Sequence, residues 1–279
     1  MTLTDTTRRL QQPRTSHRPS ASRTKPGKRD RMASQAPSSG RGARRLLTVA
    51  AVALVNATAG TPAALADERA PAPIDLGTLG GPNSFATGIN PGGTIIVGRS
   101  DDGHGEIRPV AWSHRHIIDL GTPHASGGAD GLDVNASDVI VGTYGQTDNP
   151  AATEHGFTWQ HGALKILPGL PGGGATTARR INEHGEIAGS AFTADGHEHP
   201  ALWNRNRIHD LGLPPGYTDG YLLGLNDDGD TGGAIFAADG SEAAFTWHNG
   251  RFRILPTLGG PTAQVNVIDD RGIAAGIAD

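Results

Sequence analysis

The 279-residue chain contains no cysteine. A disulfide framework, a thiolate metal site and lipid attachment through sulfur are therefore excluded, and stability must come from packing and strand pairing. Aromatic residues are scarce, at 5% of the chain. The longest apolar stretch, from Leu46, is short and alanine-rich, well below the ~20 strongly apolar residues of a bilayer-spanning helix. Glycine is abundant, at 41 residues. That suits a chain with many tight turns and not a helical bundle.

Charge divides the chain in two. Residues 1–66 hold 12 Lys and Arg against the acids Asp5 and Asp30, whereas residues 67–279 hold 12 Lys and Arg against 26 Asp and Glu. The formal net charge of −4 conceals this asymmetry. An acidic 67–279 region argues against a nucleic-acid partner, because that affinity rests on cations displacing phosphate counterions.

Residues 1–45 are polar and basic, with too little apolar surface for a core, and are expected to be disordered. Arg44-Arg45 then precede an apolar run from Leu46 to Val55, and the segment ends Ala64-Leu65-Ala66 before Asp67-Glu68. A basic region, a short apolar region and an A-x-A site are the three parts of a secretory signal. Secretion with cleavage after Ala66 is the expectation; an uncleaved membrane anchor at 46–66 is the alternative. Arg44-Arg45-Leu46-Leu47 is a partial twin-arginine match, which leaves Sec and Tat export both open. Met32 is the second of two Met residues, and a start there would give a signal of ordinary length.

The 67–279 region repeats. All four tryptophans, Trp112, Trp159, Trp203 and Trp247, stand 47, 44 and 44 residues apart. A period in the 40s marks one supersecondary unit copied several times. Other landmarks keep register: Asn90, Asn135, Asn182, Asn226 and then Asp269; Gly98, Gly142, Gly189, Gly233 and Gly276. The units run at about 74–117, 118–165, 166–208 and 209–253, with a partial copy at 254–279.

Each unit reads as four short strands, because Val, Ile, Thr and Trp cluster between turn residues. In the first copy they are Ala86–Asn90, Thr94–Gly98, Pro109–Trp112 and His116–Gly121. Asp102-Gly103, Asp195-Gly196 and Asp239-Gly240 read as two-residue hairpin turns between the second and third strands. His161-Gly162 and Asn249-Gly250 read as the same device before the fourth strand. Asn-x-x-Gly, as in Asn182-Glu183-His184-Gly185, reads as an Asx-capped turn. Four strands per ~45 residues is the arithmetic of a β-propeller blade. The expectation is an all-β, propeller-like protein of about five blades, with Ile74–Leu76 as a lone fourth strand able to complete the last blade. An open stack of sheets is the alternative.

Asp75-Leu76-Gly77-Thr78-Leu79-Gly80-Gly81, followed by Ile89-Asn90-x-x-Gly93, resembles the HAF repeat family of extracellular proteins. The His-Ala-Phe that names the family is approximated at His155-Gly156-Phe157, His199-Pro200-Ala201 and Ala243-Ala244-Phe245. The resemblance covers roughly residues 74–279. It implies an exported bacterial protein with a propeller-like fold, and it supplies no catalytic residues.

Candidate sites compete with structural explanations. One Trp per unit reads as a core anchor, because a large aromatic contributes much burial; a sugar-stacking platform is the alternative. Asn226-Asp227-Asp228-Gly229-Asp230 resembles the start of a calcium loop, but Thr231 and Ala237 occupy its Gly and Glu positions. Asp228 and Asp230 are therefore weak metal candidates. So are His197 and His199, whose strand spacing puts both rings on one face. His114 and His116 share that spacing. No cofactor is expected, since Gly80-Gly81 and Gly172-Gly173-Gly174 lack the Gly-Lys-Ser/Thr of a phosphate loop. The second copy departs most from the pattern at Thr122–Asp130, where His124, Ser126 and Asp130 lie together. The function expected is a secreted binding or scaffold module, its partner a cell-envelope polymer or surface protein. The alternatives are an extracellular hydrolase or lyase acting on a polymer at the propeller centre, and a membrane-anchored surface protein.

Overall fold

A computed structural model of the protein describes residues 72–121, 128–146 and 154–279. The segments 1–45 and 46–66, and His124 and Ser126, lie outside the described residues. The first sheet is formed by β1 (Gly80–Ile89), β2 (Ile95–Asp102), β3 (Ile107–Ser113) and β4 (His116–Asp119). The second has β5 (Gly128–Val134), β6 (Ile140–Gln146), β7 (His155–Gln160) and β8 (Ala163–Ile166). The third has β9 (Thr176–Ile181), β10 (Ile187–Phe192), β11 (Glu198–Asn204) and β12 (Arg207–Asp210). The fourth has β13 (Tyr217–Leu225), β14 (Thr231–Ala237), β15 (Glu242–His248) and β16 (Arg251–Ile254). β17 (Ala263–Ile268) and β18 (Ala274–Ala278) make a fifth, two-stranded sheet. Each full sheet is an antiparallel meander in chain order, and the described residues contain no helix.

The first strand of each sheet packs against the first three strands of the sheet before it. β5 meets β1–β3, β9 meets β5–β7, β13 meets β9–β11, and β17 meets β13–β15. Each of these four gaps has its own apolar core. Val97 and Ala111 of the first sheet meet Val134 and Phe157 of the second, while Val141 and Leu167 meet Ile181 and Trp203 across the next gap. Phe157 and Phe245 are fully buried, each contributing roughly 1.5–3 kcal/mol of transfer free energy. The leucine that follows the fourth strand plugs the gap, whether glycine or proline comes next: Leu120, Leu167 and Leu255 are all buried. Fourth strands are mostly exposed outer edges, and charges such as Asp119, Lys165, Arg207 and Arg253 blunt them against edge pairing.

The sheets surround a common axis and are not stacked in a line. Pro91 of the first unit and Asp270 of the fifth line one cavity of about 610 Å³. Sheets pack ~10 Å apart, so a straight stack would hold those two residues about 40 Å from each other. Five radial sheets of this kind are propeller-type blades.

A bulge explains the recurring glycines. Each first strand shifts register by one residue, at Thr87, Leu132, Arg179, Leu223 and Asn266. The strand beside the bulge carries Gly98, Gly142, Gly189, Gly233 or Gly276. A Cβ there would lie 1.8–2.0 Å from the carbonyl oxygen of Phe85, Asp130, Thr177, Tyr221 or Gln264. A side chain is sterically impossible without moving the bulge.

The turns differ in part from expectation. Two-residue type I′ turns join the third and fourth strands, with both central residues at positive φ: His161-Gly162, Asn249-Gly250, Arg205-Asn206 and His114-Arg115. Between the second and third strands, Asp195-Gly196 is not such a turn. Gly196 N–H donates to Thr193 O and Thr193 N–H to His197 O, a longer loop with the single positive φ at Gly196. The fourth-strand residues Ile118 and Asp119 pair with Ala111 and Val110 and so complete the first sheet. Ile74–Leu76 pairs with no strand; the described chain enters through a single parallel bridge from Leu79 to Asp102. The segment still keeps its local turn, with Gly77 N–H donating to Asp75 Oδ1 and Gly77 at φ 75°. Gly121 and Gly212 turn identically on Asp119 and Asp210.

Candidate functional site

The turns between first and second strands gather at one end of the axis. Four of the five carry the recurring Asn and the fifth carries Asp269; Asn90, Asn135, Asn182 and Asn226 are all buried. Within its own turn the Asn182 Oδ1 accepts from the N–H groups of His184 and Glu186. Its Nδ2 reaches the next sheet and donates to the carbonyl of Asn226, 3.1 Å away. Asn135 does the same to Asn182 O, and Asn226 to Asp269 O. A second belt runs alongside. The N–H of Ala136 donates to the Glu183 carboxylate, that of Glu183 to Asp227, and that of Asp227 to Asp270. The residue after each landmark (Pro91, Ala136, Glu183, Asp227, Asp270) lines the 610 Å³ cavity. Five units thus contribute one position each to a single acidic depression.

The opposite end holds a polar cluster that the sequence reading missed. Glu154, Glu198 and Glu242 recur 44 residues apart beside or at the start of the third strands. Burial pushes all three carboxyls above the ordinary glutamate range. For Glu154 the Arg179 guanidinium and hydrogen bonds from Thr143 and Thr177 partly offset burial. For Glu198 a hydrogen bond from Ser190 and the charge of Arg179 do so. Arg179 occupies the bulge position of β9, where the other units have Thr, Leu or Asn. Its guanidinium sits 5.3 Å from the Tyr221 ring centroid, and its Nε is buried without a hydrogen-bond partner among the described residues. Burial, then the Glu242 charge, raise the Tyr221 hydroxyl. Burial also acts on Asp219, but the Glu198 N–H, Thr218 and His197 outweigh it and hold that carboxyl low. Perturbed groups clustered about one cation are a physical pointer to function. The 44-residue spacing of the glutamates was visible in the sequence, but the first unit has Ile107 there.

The residues singled out from sequence are placed as follows. Trp112 and Trp203 are buried, and Trp203 Nε1 donates to Pro168 O at 2.8 Å. Trp159 and Trp247 are half-buried and pack on gap cores. His197 and His199 diverge: His197 Nδ1 faces Asp219 of the next sheet at 3.4 Å, and His199 Nδ1 faces Asp210 of its own sheet at 3.0 Å. Asp230 pairs with His248, while Asp228 is exposed. Among the described residues no group of three or more His, Asp or Glu is placed to hold a metal ion. Asp130 is buried and forms an ion pair with Arg99 at 3.3 Å, whose guanidinium lies over Phe85.

No protein-family model matches the chain, and no curated protein does either. Solved structures are similar at low identity. TolB from Acinetobacter baumannii has a TM-score of 0.46 and 15% identity, over 71% of this chain and 46% of that one. The gluconolactonase XC5397 from Xanthomonas campestris has a TM-score of 0.40 and 14% identity, over 70% of each chain. A lectin from Aleuria aurantia, described as a six-bladed β-propeller, has a TM-score of 0.35 and 14% identity, over 58% of this chain and 55% of the lectin. The chain spans about half the length of the TolB and lectin structures it resembles.

Proposed function

We propose that the repeat region is a binding module of an exported protein, with the acidic turn-face depression as its ligand surface. The observation that carries this reading is convergence: five units place equivalent residues around one cavity of about 610 Å³. Such a volume is in the range of small-ligand sites. Most other recurring residues serve the scaffold, as Asn belts, bulge glycines and core Trp. The likeness to HAF repeats and the signal-like 46–66 segment support export, and a cell-envelope polymer or surface protein is the partner class. The purified protein is screened for retention on cell-envelope polymers. The Ala136→Trp variant fills the depression from an exposed position without removing a belt carboxylate. Loss of retention in the folded variant supports the reading; undiminished retention refutes it. Intact mass from medium and membranes tests export, with a soluble species starting at Asp67 expected.

One observation favours a second reading. Glu154 and Glu198, both held in the protonated form to higher pH than usual, flank Arg179. Paired carboxyls of this kind suit acid–base work on a polymer by a hydrolase or lyase. Turnover abolished in Glu154→Gln and Glu198→Gln would establish it, and no turnover of envelope polymers by the wild type removes it.

A further inference from the structure

The gap between the second and third sheets opens outward into a cavity of about 460 Å³. Its floor is apolar, from Val139, Ala163 and Leu167 with the buried Ile187 and Trp203, and its rim carries Lys165 of β8 with Arg205 and Asn206 of the β11–β12 turn. The volume falls within the ~300–1,000 Å³ of small-molecule sites. The turn is a type I′ hairpin, with Arg205 at φ 49° and Asn206 at φ 62°, closed by the pairing of Asn204 with Arg207. Its backbone is therefore fixed before any ligand arrives.

The charges are the unusual feature. Residues 67–279 carry 26 acids against 12 bases, yet neither Lys165 nor Arg205 forms an ion pair among the described residues. Lys165 is the sole lysine beyond Lys28. At the equivalent positions of the neighbouring gaps stand Ile118 with His161, and His209 with Asn249. Two permanent cations therefore converge at one gap of the repeat and not at its neighbours. We propose that this gap binds a compact organic carboxylate of the uronic-acid kind. Lys165 and Arg205 hold the carboxylate, the Asn206 amide meets a hydroxyl, and the carbon face lies on the apolar floor. The site shares only Ile181 with the turn-face depression, and Lys165 and Arg205 line this cavity alone, so either reading can fail without the other.

Lys165 provides its own reporter. Reductive ¹³C-methylation keeps the lysine charge, and the Lys165 signal is the one lost in Lys165→Arg. The methylated full-length protein is titrated with galacturonic acid, with glucose and with sodium sulfate at constant ionic strength. The expected result is a saturable shift of the Lys165 signal with galacturonic acid and none with glucose. Affinity should be about tenfold weaker in Arg205→Gln, as loss of one charge-assisted hydrogen bond predicts. Both side chains are exposed, so the variants retain the fold, which the unchanged dispersion of the remaining signals checks. Absence of a saturable shift overturns the proposal. So does an equal response to sulfate, which would make the rim an unspecific cation patch, or an unaltered affinity in Arg205→Gln.

Discussion

The side-chain amide of Asn182 donates to the backbone carbonyl of Asn226, one full repeat later in the chain. Asn182 is buried, and its Oδ1 satisfies two N–H groups of its own turn. Replacing it with Ala orphans those donors and removes the inter-sheet hydrogen bond, leaving the Asn226 carbonyl with only the Gly229 N–H of its own turn. Asn182→Ala is expected to cost about 2–4 kcal/mol in urea unfolding. Asn182→Asp keeps the turn acceptor and loses the inter-sheet donor, so its cost should fall between wild type and Ala.

Two glycines four residues apart should respond very differently to alanine. At Gly189 a Cβ would sit 1.8 Å from Thr177 O, a backbone atom fixed by the bulge. Gly189→Ala should prevent folding or cost more than about 4 kcal/mol. Gly185 has φ +78° but nothing within 4 Å of its Cβ position. Gly185→Ala should cost only the left-handed strain of about 1–2 kcal/mol. Thermal melts of the pair separate packing from backbone conformation.

Trp203→Ala should destabilise by about 3–5 kcal/mol, because the side chain fills the gap beneath the second sheet. Trp203→Phe should cost less, though it leaves the Pro168 carbonyl without its 2.8 Å donor. A tryptophan acting in ligand stacking would instead show unchanged melting and lost binding.

Glu198 links stability to pH. Burial raises its folded-state pKa above the ordinary value near 4.5, so the native state binds the proton more tightly than the unfolded chain. Stability therefore falls as pH rises from about 4.5 through the raised folded value. Glu198→Gln removes the ionisation and preserves an oxygen for Ser190. The variant should gain on the wild type as pH rises above about 4.5, and parallel stability–pH curves would disprove the assignment.

Sheet number, strand order and the burial of most repeated residues are legible because they recur, and recurrence filters out local noise. Asn182 was legible as a turn cap, but its reach to Asn226 was not, since a cap looks the same with or without a neighbour. The bulge at Arg179 was invisible because one extra strand residue has no composition of its own; its trace was Gly189, whose reason lay across the sheet. Asp195-Gly196 reads as a two-residue turn, but the dipeptide suits equally the longer loop closed by Thr193 and His197. Ile74–Leu76 carries the motif of a fourth strand and its Asp75 turn, but a strand also requires a partner edge. Glu154 and Glu198 carry no mark of burial in the sequence, because that burial comes from packing between sheets.

The amide belt has a polarity. Every link is given by one unit and received by the next, and the fifth unit has Asp269 where the others have Asn. Asp269 Oδ1 still receives the N–H groups of Arg271 and Ile273, so its turn is intact, but a carboxylate has no proton to pass on. The series therefore has a grammar of order. A copy of the third unit spliced in after the fourth would find matching donors and acceptors on both sides. The same copy spliced in after the fifth would set an oxygen against an oxygen, and Asp269→Asn would put a donor back in that place.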